Sequence, residues 1–485
     1  MLLERRLGRL YRRHIVVALN NRETKRMSLT RSILLVATAI LSSVSWGEPV
    51  TTIKVGAGRC VITPSYSIWM AGYASRKAPN EGKIHDLFVK AIVFENADGT
   101  RAVCVTSDLL GIPANIEKRC AELAAERFGI PRERLMLTAS HTHCGPVVRN
   151  LLIDMYALEE AESAKVAQYS DALPELVMTA IQQAIDSLEP CSLYWGVGEA
   201  GFAKNRREYT VGGITNGLNP IGPVDHDVPV LAAKRADGSL KAVLFGYACH
   251  NTTLSFQQLC GDYAGFAQAH IEANSPNTTA LFAAGCGGDQ NPLPRGKVEQ
   301  AQQYGQELGD SVLKVLADGT REVQGPLRCA FEKIPLPLSK PPTREEVEQQ
   351  LKSEDVYVQR RAKHLMAVLD EKGAFETTYP YPVQVWRFED GLQLSVLGGE
   401  VVVDYSLRLK HELGRDNQFV IAYANDVMAY IPSIRILREG GYEGGDSMVY
   451  YGLYGPWAPQ VEGDIIAAVH RLTDSLKQAA PGTTP

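Results

Sequence analysis

The sequence predicts a mixed α/β fold, in which twisted, mixed β-sheets are flanked by helices within a single domain. Short apolar runs typical of buried strands alternate with longer amphipathic segments typical of helices, which favours this class over bundles or sandwiches. The chain has 485 residues, 45% hydrophobic and 22% charged, which is enough to form a large core. The net charge is -5 and basic residues are dispersed through the body of the chain, so no nucleic-acid partner is expected.

The N-terminal region carries the pattern of an export signal. From Met27, a charged start is followed by a short apolar stretch, residues 33–41, and then by Ser45-Trp46-Gly47. The apolar stretch is well below the ~20 residues that a membrane-spanning helix needs, and no other long apolar run exists. We therefore expect residues 1–47 to be a signal region with Met27 as the true start. Residues 48–485 would be the folded domain of an exported protein, periplasmic or secreted, without a transmembrane span.

Helices and strands are predicted from the spacing of apolar residues. Apolar residues recur at helical spacing in six segments: 116–128, 173–188, 298–316, 344–369, 405–413 and 463–476. Short apolar runs bounded by turn residues predict seven strands: 102–106, 135–139, 242–248, 279–284, 383–388, 392–397 and 419–423. The Pro-rich stretch 334–342 and the charged helix after it could mark a domain boundary. We expect an insertion in one domain instead, because candidate site residues fall on both sides of it.

The cysteine content allows several interpretations. Nine cysteines in an exported protein could form disulfide bridges with at least one thiol left over, and their spacing does not settle the pairing. No CxxC pair occurs, which disfavours a structural zinc knuckle. Cys144, Cys249 and Cys286 each adjoin a motif described below. We expect them to be small packed residues rather than ligands or nucleophiles.

Polar residues follow the ends of four predicted strands. The four segments are Ser107-Asp108, Ser140-His141-Thr142-His143, His250-Asn251-Thr252-Thr253 and Gly285-Cys286-Gly287-Gly288-Asp289. In open α/β sheets, ligands collect where strands end and loops begin. Two strands that each end in histidine can bring imidazoles to one edge of a sheet, where neutral nitrogens bind a borderline metal such as zinc. The pattern predicts a metal-dependent hydrolase.

His141 and His143 are expected to have different roles. In an extended segment, residues i and i+2 point to the same face, ~7 Å apart, so both side chains can reach one small site. One would bind the metal and the other would contact the reacting group. The alternative is that His143 only caps the turn before Gly145-Pro146. No HExxH motif occurs, so the remaining ligands must come from elsewhere in the chain.

Three carboxylates are candidates for completing the site: Asp108, Asp289 and Glu400. Glu400 follows a predicted strand and the pair Gly398-Gly399, which would present its carboxylate at the same edge of the sheet. The alternative is a glutamate at a helix N-terminus, where its charge is favourable. Judged from these residues alone, that simpler interpretation is preferred.

A set of separated motifs carries a family resemblance. In chain order these are Met70-Ala71-Gly72-Tyr73, Lys83-Ile84-His85, Thr106-Ser107-Asp108, Ser140-His141-Thr142-His143-Cys144-Gly145-Pro146, Asn205-Arg206-Arg207, His250-Asn251-Thr252-Thr253, Gly288-Asp289, Gly399-Glu400, Tyr430, Tyr442-Glu443-Gly444 and Gly455-Pro456-Trp457. From about residue 55 to about residue 476, their order resembles that of the catalytic domain of neutral ceramidases. The spacing also fits, since His250 follows Arg206 by 44 positions.

The resemblance implies a metal site and a reaction. It implies one Zn²⁺ ion with four ligands: His141, His250, Glu400 and Tyr430. A tyrosine ligand is chemically reasonable, because a metal favours the phenolate over a phenol of pKa ~10. In that family, the enzyme hydrolyses the amide of an N-acyl sphingosine to a sphingoid base and a fatty acid. The expected partner is therefore a lipid-like N-acyl amide, with transient contact with a membrane surface.

The resemblance also implies a reaction centre lined by His143, Arg206 and Tyr442. His143 and Tyr442 would donate hydrogen bonds to the oxyanion, and protonated His143 would deliver a proton to the departing amine. Glu400 would have a second role as a proton acceptor. Arg206 would hold a substrate hydroxyl or a carboxylate product, and its alternative role is a surface ion pair.

The chain also departs from the family pattern. The family usually has Gly-Asp-Val-Ser-Pro-Asn where this chain has Gly288-Asp289-Gln290-Asn291-Pro292-Leu293, so Asn291 replaces the family's serine in a loop that contacts substrate. Cys144 also stands where the family has serine. The chain ends soon after Trp457, and no C-terminal immunoglobulin-like domain is expected. These differences leave open whether the substrate is ceramide or another N-acyl lipid or small amide.

Two other classes of function stay open. The chain could be a non-catalytic metal- or lipid-binding module, or a metal-dependent esterase or phosphoesterase on the same scaffold. A phosphoesterase more often assembles several carboxylates around two metals. The number of metal ions per chain distinguishes these classes from the amidase: one zinc indicates the amidase, two metals indicate the phosphoesterase, and no metal indicates the inert module. The oligomeric state is not set by the sequence.

Overall fold

The computed structural model describes residues 53–478. The predicted signal region, residues 1–47, lies outside the described residues. The strands are β1 (Ile53–Val61), β2 (Gly82–Lys83), β3 (Phe88–Glu95), β4 (Arg101–Ser107), β5 (Leu135–Ala139), β6 (Glu189–Glu199), β7 (Ala203–Asn205), β8 (Arg207–Thr210), β9 (Gly213–Asn216), β10 (Asp227–Lys234), β11 (Leu240–Tyr247), β12 (Gln258–Leu259), β13 (Thr279–Ala284), β14 (Gln290–Pro292), β15 (Arg321–Val323), β16 (Leu327–Pro337), β17 (Thr378–Phe388), β18 (Gln393–Leu397), β19 (Glu400–Val401), β20 (Gln418–Ile421) and β21 (Tyr430–Ile431).

Ten α-helices are present among the described residues. They are α1 (Ala114–Phe128), α2 (Glu160–Asp186), α3 (Asp262–Asn274), α4 (Val298–Asp318), α5 (Arg344–Gln350), α6 (Val356–Lys372), α7 (Val403–Leu413), α8 (Ile434–Glu439), α9 (Gly441–Gly444) and α10 (Val461–Gln478). The single helix predicted for residues 344–369 is wrong, because the structure divides it into α5 and α6. The side chain of Asp355 accepts hydrogen bonds from the backbone N–H groups of Tyr357 and Val358, and this N-cap starts α6 anew.

The larger sheet has nine strands and is mixed. Its spatial order is β13-β11-β10-β6-β1-β3-β4-β5, with β15 added beside β6. The pairs β11–β13 and β4–β5 are parallel, whereas the central pairs are antiparallel. The sheet is strongly curved, because its two edge strands, β5 and β13, also lie against each other. The ends of β5 and β11 therefore approach each other, although β5 is one edge strand of the sheet and β11 lies next to the other edge strand, β13.

A four-stranded sheet packs on one face of the larger sheet. Its order is β16-β17-β18-β20, with β18 and β20 parallel. Aromatic rings meet across the apolar layer between the two sheets, with centroids 6.4 Å apart for Phe94 and Trp386 and 6.2 Å apart for Trp195 and Phe419. Helices α1 to α4 lie with the larger sheet, and α7 and α10 pack on the smaller one. The predicted mixed α/β class, with mixed sheets flanked by helices, is confirmed.

The helices α5 and α6 lie between two strands that pair with each other. Strands β16 and β17 are antiparallel partners along their full length, from Leu327 opposite Phe388 to Pro337 opposite Thr378. The Pro-rich stretch 334–342 thus begins as the end of β16, and the charged helices form an excursion from this hairpin. The excursion contacts the rest of the chain, since Tyr357 Oη donates to the carbonyl oxygen of Ala74 at 3.1 Å.

All nine cysteines are free thiols in the described structure, and seven of them are buried. The structure therefore shows none of the disulfide bridges that the cysteine content allows among the described residues. Cys144, Cys249 and Cys286 have 0%, 1% and 0% exposure, which agrees with their expected role as small packed residues. Among residues 53–478, no helix combines the length and the apolar composition needed to cross a membrane.

Candidate metal centre

The loops that follow β5 and β11 are joined by backbone hydrogen bonds. Thr142 and Asn251 form an isolated parallel bridge. The N–H of His143 donates to the carbonyl oxygen of Asn251 at 3.2 Å, and Nδ2 of Asn251 donates to the carbonyl oxygen of Ser140. These contacts place the two histidine-bearing loops side by side.

His141, His143 and His250 form one buried cluster, with exposed fractions of 1%, 9% and 1%. Nε2 of His143 lies 3.0 Å from Nε2 of His141, and the ring centroids of His141 and His250 are 4.8 Å apart. One nitrogen of each imidazole lies within 4.8 Å of the other two. The strand ends that carry histidine in the sequence therefore meet at one point.

The backbone of the histidine pair differs from the predicted one. His141 has φ of 61°, so the segment is not extended and the expected alternation of side chains does not apply. The left-handed conformation is unfavourable for a residue with a Cβ and persists only where its surroundings hold it. The rings of His141 and His143 cross at 82° with centroids 4.8 Å apart. The two side chains converge because His141 turns the chain.

The second ring nitrogen distinguishes two of the histidines from the third. Nδ1 of His141 lies 2.6 Å from the carbonyl oxygen of Leu110, and Nδ1 of His250 lies 2.7 Å from that of Gly287. A carbonyl oxygen only accepts, so each Nδ1 carries a proton, and in the neutral ring Nε2 then presents a lone pair to the cluster. Nδ1 of His143 has no hydrogen-bond partner. Because metal-binding histidines are usually oriented through their other nitrogen, this difference singles out His141 and His250.

Glu400 adds a carboxylate to the cluster. Its Oε2 lies 3.1 Å from Nε2 of His141 and 3.1 Å from Nε2 of His250. Oε2 is a buried oxygen without a hydrogen-bond partner. The other carboxylate oxygen accepts a hydrogen bond from Oη of Tyr451. A buried carboxylate oxygen without a partner is costly, which suits this cluster to a cation.

Burial governs the protonation of the cluster. It lowers the pKa of His250 to about 4 and lowers the pKa of His143 well below its ordinary value. Burial acts to raise the pKa of Glu400, but contacts with His141 and His250 outweigh it and hold the pKa well below its ordinary value. At neutral pH, His143 and His250 are therefore neutral imidazoles beside the carboxylate of Glu400. This is a donor set that zinc accepts.

Tyr430 reaches the cluster through strand pairing. Glu400 and Tyr430 are direct partners in the two-stranded parallel ladder of β19 and β21. Oη of Tyr430 lies 3.1 Å from Nε2 of His250 and accepts a hydrogen bond from Nη2 of Arg206 at 3.0 Å. Burial raises the pKa of Tyr430 well above its ordinary value, and the guanidinium of Arg206 opposes this shift. The phenol can therefore donate its proton to the lone pair on His250.

Arg206 is buried, at 4% exposure, so its alternative role as a surface ion-pair residue is wrong. Its Nε donates to Oε1 of Glu443 at 2.7 Å, and Nη1 of Arg207 donates to the other oxygen of Glu443 at 2.5 Å. Burial acts to lower the pKa of Arg206, but Tyr430 and Glu443 reverse this and raise the pKa well above its ordinary value. Glu443 thus holds the guanidinium charged and fixed, with Nη1 3.3 Å from Nε2 of His250.

Tyr442 and Asn291 lie one contact further out. The ring centroids of Tyr442 and Tyr430 are 5.2 Å apart, and the guanidinium carbon of Arg206 lies 5.8 Å from the centre of the Tyr442 ring. Asn291 accepts a long hydrogen bond from Nη1 of Arg206 at 3.4 Å and donates to Oδ1 of Asn216 at 3.2 Å. The structure therefore connects Asn291 to Arg206 rather than to the imidazoles.

The other two candidate carboxylates accept hydrogen bonds from groups outside the histidine cluster. Oδ2 of Asp108 accepts from the N–H of Phe88 at 2.9 Å. Asp289 accepts from the N–H of Val403 at 2.9 Å and from Nδ2 of Asn205 at 3.0 Å. Neither carboxylate belongs to the histidine cluster, so as metal-ligand candidates both are wrong.

The sequence predicted no role at the cluster for three residues that the structure places there: Tyr423, Glu443 and Tyr451. The ring of Tyr423 lies 4.3 Å from that of His141, and its buried hydroxyl has no hydrogen-bond partner. Tyr423 ends the predicted strand 419–423, so the rule that polar chemistry follows strand ends could have found it. Nothing in the sequence around Tyr451 marks it as a partner of a carboxylate.

Sequence comparisons with known proteins identify a family. A family model described as neutral/alkaline non-lysosomal ceramidase, N-terminal, matches residues 53–312, which is more than half of the chain. Neutral ceramidase B of Dictyostelium discoideum is 26% identical over 261 residues, which cover 50% of this chain and 36% of that protein. Neutral ceramidase A of the same organism is 25% identical over 262 residues, with the same shares. The match thus spans only about a third of the length of these relatives.

The fold is also similar to solved structures. The crystal structure of neutral ceramidase from Pseudomonas aeruginosa matches with a TM-score of 0.68 and 20% identity, over 90% of this chain and 76% of that chain. A structure of ceramidase complexed with C2 matches with the same TM-score and identity. At this identity the structural similarity shows only a shared fold, whereas the family model that matches residues 53–312 shows the family. The chain therefore belongs to the neutral/alkaline non-lysosomal ceramidase family.

Proposed function

We propose that this protein is a zinc-dependent amidohydrolase that cleaves the amide of an N-acyl sphingosine or of a related N-acyl lipid. The observation that carries the proposal is the buried Oε2 of Glu400, which has no hydrogen bond and lies 3.1 Å from two imidazole nitrogens. A site of this kind is suited to a cation. Membership of the ceramidase family supports the amide as the substrate class.

Four residues are proposed to hold the zinc ion: His141, His250, Glu400 and Tyr430. Imidazole nitrogen and carboxylate oxygen are ordinary zinc ligands. Tyr430 would bind as the phenolate, and the guanidinium of Arg206 at 3.0 Å favours that ionised form. When bound, zinc supplies a Lewis acid that polarises the amide carbonyl and makes a water molecule more acidic.

His143 is proposed to be the proton carrier rather than a further ligand. Its Nδ1 lacks the carbonyl partner that orients His141 and His250, and its ring packs against Tyr73 with centroids 4.9 Å apart. Because its pKa is lowered, the imidazole begins the reaction neutral and accepts a proton from the attacking water. The imidazolium then gives this proton to the amide nitrogen as the C–N bond breaks, which releases a free amine and a carboxylic acid.

Tyr442 and Arg206 are proposed to bind substrate oxygens. Burial raises the pKa of Tyr442, so the phenol remains a hydrogen-bond donor for the oxyanion that develops on the carbonyl. Arg206 is fixed by Glu443 and would hold a substrate hydroxyl or the carboxylate product. We assign Asn291 to the same reaction centre through its contact with Arg206.

The proposal is tested by metal content and by product release. Wild-type protein is expected to hold one zinc per chain and to release fatty acid from N-acyl sphingosine, whereas His141→Ala should lose both. His470→Ala is a matched control, because His470 lies on α10 and contacts Glu412 at the surface. Equal fatty-acid release by wild type and His141→Ala would refute the proposal.

The metal count also separates the alternative functions. Two metals per chain would indicate a phosphoesterase, and none would indicate an inert module. Within residues 53–478, one group of possible metal ligands was found, His141, His143 and His250, and Glu400 is the carboxylate beside it. Because two-metal phosphoesterases assemble several carboxylates, this observation favours the amidase.

A further inference from the structure

The segment from Tyr209 to Val224 is uncharged. These sixteen consecutive residues contain no Asp, Glu, Lys, Arg or His. They form most of the hairpin β8–β9 and the loop that leads towards β10. A surface segment of this length without charge is unusual in a chain with 22% charged residues.

The same segment exposes large apolar side chains. Val211 at the tip of the hairpin is fully exposed, Ile221 is 91% exposed, and Tyr209 and Leu218 are 59% and 50% exposed. Five other large hydrophobic residues are exposed among the described residues, each in a different part of the chain: Val61, Ile153, Val197, Val356 and Leu407. Single exposed residues of that kind are normal, whereas a concentration of four within thirteen residues indicates an interaction site.

The base of this hairpin is attached to the catalytic cluster. The N–H of Gly217 donates to the carbonyl oxygen of Arg206 at 2.8 Å. Asn216 accepts a hydrogen bond from Asn291 at 3.2 Å. A side chain at the exposed tip is therefore tied through short contacts to residues of the proposed reaction centre.

We propose that residues 209–221 form a lipid-inserting element that docks the protein on a bilayer beside its catalytic cluster. This inference rests on the proposed function, because a lipid-like amide resides in membranes. Aliphatic side chains at the tip enter the boundary between headgroups and acyl chains, and a tyrosine is favoured at the level of the headgroups. The absence of charge means that insertion needs no anionic lipid.

A second copy of this chain is a poorer occupant of the same segment. A stable protein interface uses roughly 20–30 residues on each side, whereas this element offers thirteen on a narrow hairpin of two four-residue strands. The side chain of Val211 is fully exposed and is therefore free to enter an acyl-chain layer. We therefore commit to a lipid surface.

The test is flotation with vesicles of phosphatidylcholine alone and of phosphatidylcholine mixed with phosphatidylserine. The double variant Val211→Ser plus Ile221→Ser should partition about a hundredfold more weakly than wild type, since burial of one aliphatic side chain favours transfer about tenfold or more. The matched control Val61→Ser plus Leu407→Ser changes two exposed aliphatic residues on other elements and should partition like wild type. Added salt should leave the partitioning unchanged.

Three results would overturn the proposal: equal partitioning of the two double variants, loss of wild-type binding on addition of salt, or a wild-type dimer that the Val211 and Ile221 changes dissociate. Hydrolysis of a soluble short-chain N-acyl amide is measured in parallel and should be the same in wild type and both double variants. A wild-type protein that binds vesicles but cleaves no amide refutes the proposed function alone. One that cleaves the soluble amide without binding vesicles refutes the lipid-inserting element alone.

Discussion

Replacement of Gly72 by alanine tests the role of His143 without changing any proposed zinc ligand. Gly72 has φ of 95°, and a Cβ built on it would lie 2.5 Å from Cγ of His143. Ordinary van der Waals contact begins at 3.4 Å, so the imidazole would have to move by about 1 Å. A misplacement of this size lowers catalysis by about a hundredfold. Alanine in the left-handed region also costs roughly 1–2 kcal/mol of stability.

The assay combines kinetics with metal analysis. Gly72→Ala is expected to retain one zinc per chain, since His141, His250, Glu400 and Tyr430 are unchanged. Its kcat for hydrolysis of a short-chain N-acyl sphingosine should fall by about a hundredfold. Both quantities are measured on the same preparation, with zinc determined by emission spectrometry.

A second glycine supplies the control. Gly99 has φ of 82°, and a Cβ built on it meets no atom within 4 Å, so Gly99→Ala introduces the same backbone strain without contact with His143. This variant should keep the wild-type kcat. Loss of zinc in Gly72→Ala would show that His143 is a metal ligand and refute its assignment as proton carrier. An unchanged kcat would place His143 outside the reaction.

Four other perturbations have outcomes that the structure or the sequence predicts. Glu443→Ala leaves the buried Arg206 unpaired and should cost about 3–5 kcal/mol of unfolding free energy in urea titrations; a loss below about 1 kcal/mol would contradict this. Burial raises the pKa of Asp426 from 3.8 to about 6, so between these values the native state keeps a proton that the unfolded chain has lost. The contribution of Asp426 to the free energy of unfolding should therefore fall by roughly 3 kcal/mol as pH rises through that window. Asp426→Asn, which still accepts from Tyr379, should remove this contribution, so the wild-type free energy of unfolding should fall more steeply with pH than that of the variant. Chelation of zinc should lower Tm, because an ion present at a thousand times its Kd stabilises by about 4 kcal/mol, and a Tm insensitive to chelator would refute a bound ion. N-terminal sequencing of the purified protein should begin near Glu48, and a sequence beginning upstream of Met27 would reject the signal region.

Strands with uninterrupted apolar runs could be predicted from the sequence, whereas strands that depend on distant partners could not. The strands 135–139 and 279–284 were predicted with the bounds that the structure shows. Strand β3 was not predicted, because Lys90 interrupts its apolar run. Lys90 is nevertheless buried, and its charge is paired with Glu272 at 2.6 Å, 182 positions away.

Close packing of a helix explains a second strand that was not predicted. Strand β1 contains Gly56 and Gly58, and glycine weakens the strand pattern. A Cβ at Gly56 would collide with the carbonyl oxygen of Ala184, and one at Gly58 with that of Ala180. These glycines are present because α2 lies directly against the strand. Such a contact cannot be inferred from neighbouring residues in the sequence.

In the candidate site, too, some residues could be predicted from the local sequence, whereas others depend on distant partners. The strand-end pattern identified His141, His143 and His250 as residues that meet, although the reasoning from an extended segment was wrong. Glu400 was better explained, from its neighbours alone, as a residue at a helix N-terminus. Its link to Tyr430 depends on a two-residue parallel ladder across 30 positions, and only the family resemblance pointed to it in advance.

The proposed ligands come from both sheets of the molecule. His141 and His250 follow strands of the nine-stranded sheet, whereas Glu400 follows β18 of the four-stranded sheet. A single ion bound by residues of both sheets would hold the two sheets together. The affinity of the site for the ion would then depend on how closely the aromatic side chains between the sheets pack. Zinc binding and the packing of the two sheets are then thermodynamically coupled. A substitution that loosens the contact of Phe94 with Trp386 would weaken zinc binding from a distance, and loss of the ion would loosen that contact.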